Sequence, residues 1–306
     1  MMRACLIVLV ARAFLSLADE IGSPGENTQP SPTDFIRVVE TAKGEGSLDT
    51  AIVTYTNAEG IVVDLIAALH VADAGYYRAL NRRFKSYDQL LYELVKTKDD
   101  DLDDLKKSTN PLSTFQRLLK SSLGLEFQLD AIDYKAKNFV HADLDPETFM
   151  KLQAEKGESL LGLLFKAALK GLELEAKGEK KSASGLELLA ALASSDSQRK
   201  MKWIFARELE GMEQVLAGME AGQKDGSVII AERNKAAVAV LKKGLENGAK
   251  RFGIFYGAGH MQDLEARLSR ELGFKKAKEE WVTAWDVRRK TVPDGSVGDG
   301  TKRSNP

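Results

Sequence analysis

Cysteine and histidine are scarce in this chain, and neither sign of charge is in excess: 306 residues hold one Cys and three His, with 44 Lys and Arg against 45 Asp and Glu. A net charge of −1 supplies no basic field of the kind that releases counterions from phosphate, so nucleic acid is excluded as a partner class. The single Cys5 lies so near the start that the body of the protein has no thiol for disulfides, thiolate zinc ligation or nucleophilic catalysis. Gly-x-Ser-x-Gly and His-Glu-x-x-His motifs are both lacking, which removes the serine-hydrolase elbow and the zincin helix. Gly257-Ala258-Gly259 opens like a dinucleotide fingerprint, but Gln262 stands where its third glycine belongs. The acidic run Asp99 to Asp104 lacks the central glycine and closing glutamate of a calcium loop and reads as a solvated turn.

What remains is a sequence with 43% apolar residues, enough for a sizeable core. Met1-Met2-Arg3, an apolar stretch from Ala4 to Leu17 interrupted by Arg12, and Ser16-Leu17-Ala18 form a secretory signal-peptide pattern over residues 1–18. The stretch is short for a permanent membrane span. Its cleavage predicts a secreted or periplasmic protein of net charge −3, without Cys5, Arg3 and Arg12 and with no stable membrane span. Residues 19–34 read as a flexible linker, and 290–306 as a disordered tail.

Between these ends, residues 35–289 are expected to form a single α/β domain. A mostly parallel or mixed central sheet is flanked by helices and carries a large helical insertion at about 99–222. Short β-rich runs come first: Phe35 to Val39, then Thr50 to Tyr55 and Ile61 to Ala68, the last two joined as a hairpin by Asn57-Ala58-Glu59-Gly60. Tyr77, Leu80 and Phe84 share one helical face, and Gln89 to Val95 reads as a buried strand. Apolar residues at three- and four-residue intervals predict helices over 159–174, 186–193 and 200–219, with a loop at 178–185. The strand–helix rhythm then returns with a strand over 227–232, a helix over 234–247, a strand over 251–256, a helix over 261–272 and a strand over 280–287. Single helices between strands imply parallel pairing.

The rare histidines gain meaning from these positions. His70 follows one buried strand, Glu93 lies near the end of the next, Arg233 follows the expected strand ending at Glu232, and His260 opens a helix after the strand ending at Tyr256. In an open parallel sheet the carboxyl ends of the strands form the ligand crevice, so all four are expected on one edge. Two imidazoles and a carboxylate supply three ligands to a divalent metal and leave a position open for water. Glu93, inside an apolar run, needs a partner; Arg233 is either that partner or a substrate clamp. His141, between Tyr134 and the helix start at Asp145-Pro146, reads either as a loop or capping residue or as a group folded back over the crevice.

A hairpin running into Ala67-Ala68-Leu69-His70, the buried Glu93, the segment Glu232-Arg233-Asn234, and Gly257-Ala258-Gly259-His260 together resemble the TraB family. That family includes the PrgY and GumN groups and the TIKI proteases, within a superfamily of erythromycin-esterase-like and ChaN-like proteins. The resemblance covers about residues 48–95 and 227–275; Ala67 replaces the first motif's glycine, and alanine is small enough to keep the close approach. It implies a metal-dependent hydrolase, peptidase-like, acting on a peptide or small molecule. Manganese or cobalt rather than structural zinc would be held by His70, Glu93 and His260, with Glu93, Arg233 and His141 in catalysis. The alternative it implies is a non-catalytic binder of haem or a small pheromone-like peptide.

Overall fold

A computed structural model describes residues 33–97, 122–158, 183, 185–221 and 227–289, apart from the side chains of 212–221. The expected leader, the linker up to residue 32, Cys5, the acidic run 99–104, the helix over 159–174, most of the loop over 178–185 and the tail lie outside the described residues.

The sheet grows from three antiparallel strands: β1 (Ile36–Ala42), β2 (Glu45–Thr56) and β3 (Val62–Ala68). Gly60 takes φ +76° in the β2–β3 turn, a left-handed conformation that costs glycine little. Asn57 braces that turn, its Oδ1 accepting the amides of Glu59 and Ile61 at 3.1 and 3.0 Å. After β3 come β4 (Val71–Ala72), β5 (Gln89–Tyr92), β6 (Glu126–Phe127), β7 (Phe139–His141), β8 (Arg251–Gly257) and β9 (Lys275–Asp286). The order across the sheet is β1-β2-β3-β8-β5-β7, with β9 antiparallel to β2, while β4 and β6 form a separate pair. Pairing from β3 through β8 and β5 to β7 is parallel, so the sheet is mixed and the fold α/β.

β8 enters late and lies between β3 and β5. Ala68 pairs with Gly257, Phe255 with Tyr92, and Tyr92 with His141, which brings the carboxyl ends of all four parallel strands to nearly one level. The chain segments leaving them share one edge, the place such sheets reserve for ligands.

Seven α-helices are described: α1 (Ala74–Phe84), α2 (Gln128–Ala131), α3 (Pro146–Lys156), α4 (Gly185–Leu192), α5 (Ser197–Ala221), α6 (Arg233–Glu246) and α7 (Met261–Leu272). α1 buries Tyr76, Tyr77, Leu80 and Phe84, and α7 buries Met261, Leu264 and Leu268, the spacing of a single apolar stripe. Asp145 caps α3 by accepting the Thr148 amide at 2.9 Å, with Pro146 in the first turn. No helix among the described residues is long and apolar enough to cross a membrane.

A charge is built into the middle of β3. Asp64 is 4% exposed and is reached by the Thr54 hydroxyl at 2.6 Å, the Tyr87 hydroxyl at 2.6 Å and Arg83 Nη2 at 3.2 Å. Arg83 also meets Glu280 of β9 at 3.0 Å, so α1 is tied to β3 and β9 through one guanidinium. Buried charge is tolerated when its lone pairs are occupied in this way.

Three expectations change. Residues Val228–Glu232 form a single π turn, not a strand. The Val-Ile-Ile run favours a strand locally, but the Ser227 carbonyl accepts the Glu232 amide at 3.1 Å, a bond spanning five residues. The Ser227 hydroxyl accepts the Ile230 amide at 3.1 Å, and the Glu158 carboxylate accepts that of Val228 at 2.8 Å. Satisfied amides at the start of the turn outweigh a weak β preference. Second, the large insertion expected to be helical at about 99–222 also contributes β7 to the main sheet and β6 to the small one. Third, the last strand begins at Lys275 rather than Glu280, because β2 is long enough to pair with it from Ser47 to Thr56.

Gly253 in β8 leaves room for Tyr87 to reach Asp64. A Cβ there would fall 2.5 Å from Leu90 Cδ1 and 2.9 Å from the Tyr87 ring. Gly253→Ala is therefore expected to lower stability by about 1–3 kcal/mol, read as a lower urea midpoint at unchanged slope.

Candidate functional site

Four of the five residues singled out in the sequence lie just beyond the carboxyl ends of the parallel strands or at the helix start beside them, and His141 ends β7. Glu93 is the first residue after β5, and its amide donates to the Phe255 carbonyl of β8 at 3.2 Å. Its carboxylate accepts the Gly257 amide at 2.6 Å through Oε2, while Oε1 lies 2.8 Å from Arg233 Nη2 and 3.5 Å from His260 Nε2. A Cβ at position 257 would stand 3.3 Å from Glu93 Oε2, tighter than ordinary contact. The first glycine of the Gly-x-x-His motif thus lets the carboxylate settle on the backbone.

Arg233 starts α6 directly after the π turn. Its Nε and Nη2 grip Asp143 at 2.9 and 2.5 Å, a bidentate pair, and the Asp143 side chain has no solvent exposure. Phe149 of α3 covers the guanidinium, ring centroid to Cζ 5.9 Å. Glu232 turns the other way, to Lys156 at 3.1 Å and Lys235 at 3.0 Å. A π turn widens the helical ring by one residue, and here it separates an outward Glu232 from an inward Arg233 and Asn234.

His260 closes a short 3₁₀ turn (Ala258–His260) after β8 and is 6% exposed. Its Nδ1 lies 2.8 Å from Asn234 Oδ1, and its ring meets Tyr256 edge-on at 5.2 Å. The Tyr256 hydroxyl donates to the Ala142 carbonyl, one residue before Asp143. Burial, then the charges of Asp143 and Glu93, push the Tyr256 phenol well up, so it acts as a donor and not a base.

The other two histidines are placed differently. His70 is exposed two residues past β3, and its carbonyl accepts the Gln128 amide at 2.8 Å. His141 ends β7, with Nε2 2.6 Å from the Leu94 carbonyl and its ring edge-on to Tyr92 at 5.7 Å. It braces the backbone around Glu93 rather than joining the charged cluster. Tyr134 packs on Tyr92 at 5.2 Å, and its hydroxyl accepts from Gln128 Nε2 at 2.8 Å. The structure therefore brings together Glu93, Arg233 and His260 and holds His70 on the same edge. It adds Asp143, Asn234 and Tyr256, whose site roles no sequence spacing announced.

Electrostatics follow from burial and pairing. Burial alone would raise the Glu93 carboxyl, but the charges of Arg233, His260 and His70 and the Gly257 amide outweigh it and hold the group well below the usual carboxylate range. Burial, helped by the positive charge of Arg233, drives His260 from 6.5 down to about 4 despite the pull of Glu93. Around neutral pH an ionised Glu93 therefore faces a neutral imidazole, with Arg233 placed between Glu93 and Asp143. Among the described residues no three His, Cys, Asp or Glu side chains are gathered closely enough to hold a metal ion. Two donors of the expected set, His260 Nε2 and Glu93 Oε1, do converge.

Comparison with protein-family models gave no match, and comparison with curated proteins gave none either.

Two outcomes follow. Arg233→Met leaves the buried Asp143 and Glu93 without their cation, and is expected to cost about 3–5 kcal/mol in denaturant unfolding. For His260 the folded-state pKa lies below its ordinary value, so between pH 6.5 and about 4 the unfolded chain binds a proton that the folded chain refuses. Stability of chelator-treated protein is expected to fall as pH drops through that window, and further at lower pH as Glu93 protonates. His260→Gln should flatten the upper part of that slope.

Proposed function

We propose that the chain is a metal-dependent hydrolase, secreted or periplasmic, with a peptide bond as its preferred target. The observation that carries this reading is the convergence of His260 Nε2 on Glu93 Oε1 at 3.5 Å. It occurs at the strand-end crevice, beside the Arg233–Asp143 pair. Two of the three expected donors suit a divalent cation, since a neutral imidazole and an ionised carboxylate face each other; the third, the exposed His70 on the same edge, would have to close on them. Manganese or cobalt held by His70, Glu93 and His260 would supply Lewis acidity to a substrate carbonyl and to water.

The residues' own chemistry sorts their roles. A carboxylate held far below neutral is a weak base, which favours Glu93 as a ligand over Glu93 as the group that takes a proton from water. Arg233 is committed to Asp143 by two hydrogen bonds and to Glu93 by a third contact. That favours orientation of the carboxylate over clamping of a substrate. His141 steadies Leu94, next to Glu93, and so supports the ligand from behind. The peptide preference comes from the TIKI branch of the resemblance.

The test is manganese- or cobalt-loaded full chain on a peptide library, beside Glu93→Gln and His260→Ala. Hydrolysis by the parent that falls at least about 100-fold in both variants is expected. Equal activity in the variants overturns the assignment, and haem uptake with a visible absorption band, without hydrolysis, would replace it with the binder reading.

A further inference from the structure

The Nδ1 side of His260 is held by Asn234, and Asn234 is held in turn. Asn234 is fully buried, and its Nδ2 donates to the His260 carbonyl at 3.0 Å and to Asp263 Oδ2 at 2.8 Å. A backbone carbonyl and a carboxylate only accept hydrogen bonds, so the amide nitrogen has to face them. Asp263 is itself fastened by Arg267 Nε at 2.6 Å, which keeps its carboxyl in place as an acceptor. The amide is thereby locked with Oδ1 turned to His260 Nδ1 at 2.8 Å. An amide oxygen cannot donate, so the proton of that bond belongs to Nδ1.

We infer that Asn234 is a positioning residue that holds the imidazole of His260 in the Nδ1–H tautomer and leaves Nε2 as an electron-pair donor facing Glu93. The competing tautomer would place the proton on Nε2, where Glu93 Oε1 at 3.5 Å is an acceptor ready to take it. Without Asn234 that arrangement wins: Nε2–H donates to the carboxylate and the pair is self-satisfied. With Asn234, two electron pairs face each other across a gap that a cation, or a water donating to both, would relieve. Ligating histidines are oriented by a partner on their second nitrogen in the same manner. The metal-binding consequence rests on the hydrolase reading; the tautomer does not.

Nitrogen-15 NMR of histidine-labelled full chain decides it, since only three histidines contribute and His260→Gln identifies the signal. At mildly alkaline pH, in chelator, the expected spectrum has Nδ1 at the protonated position and Nε2 at the bare one. An Nε2–H tautomer, or a doubly protonated ring, overturns the inference. Asn234→Leu should move the proton to Nε2; a tautomer unchanged in that variant also overturns it. Should that variant fail to fold, the parent spectrum remains decisive. Cobalt(II) titration, followed by its visible absorption, should show binding about 10–100-fold weaker in Asn234→Leu. An Nδ1–H tautomer without cobalt binding by the parent leaves the inference standing and removes the hydrolase reading.

Discussion

The guanidinium of Arg233 between Asp143 and Glu93 is the interaction on which the strand-end edge depends. Each carboxyl group comes from a segment leaving a different parallel strand, and each is removed from solvent, 12% and 0% exposed in its side chain, so that leaving either without its guanidinium partner is costly. Arg233 reaches both because α6 begins inside the crevice, and α6 begins there because a π turn replaces the expected strand. The same turn fixes Asn234 one residue later, and through it His260. Loss of that single cation would release the loop after β7 and the carboxylate after β5 together. The charged centre is a structural keystone as well as a candidate for chemistry.

Sheet topology explains why the residues meet. β8 is late in the chain but lies between two early strands, so the segments after β3, β8 and β5 are neighbours although His70 and His260 are far apart in sequence. Glycine permits the final approach: Gly257 lets Glu93 rest on a backbone amide. That amide and Arg233 together make an ionised glutamate tolerable at a largely buried strand end. Asp64, deeper in β3, is handled by the same rule with different donors, Thr54, Tyr87 and Arg83. There the lone pairs are filled from within, and no group such as His260 is left facing the carboxylate with its own electron pair.

Much of this was legible in the sequence wherever a local pattern and the tertiary environment agree. The β2–β3 hairpin follows from Asn57 and Gly60, α1 and α7 from their apolar stripes, and the edge shared by His70, Glu93 and His260 from strand–helix alternation. The π turn was not legible because its deciding bonds come from Glu158, well away in sequence, and from Ser227, whose capping competes with a β-branched run. β7 escaped notice because three residues, Phe139 to His141, are too short for any periodicity. Asp143 escaped because an acidic residue near Asp145-Pro146 reads as part of a helix start; only its bond to Arg233 distinguishes it. Asn234 sat within a recognisable motif, but its role depends on Asp263 and the His260 carbonyl, partners that only the packing of α6 against α7 supplies.

Charge balance separates a purely structural account of this edge from a functional one. A cluster built only for stability would let its histidine donate to its glutamate, closing the network with no outside partner. Here the imidazole's proton-bearing side is occupied by an amide whose orientation is enforced twice, by a carboxylate and by a carbonyl. Its other nitrogen is turned to the one carboxylate oxygen that Arg233 shares. Burial disfavours protonation of that nitrogen, so the folded protein keeps an unprotonated imidazole facing the carboxylate. Maintaining such a site costs stability, and the structure supplies a tethered aspartate, an arginine and an asparagine to keep it open. On the hydrolase reading proposed above, those buried polar groups keep a bare nitrogen beside the carboxylate as two of the ligands for an incoming cation.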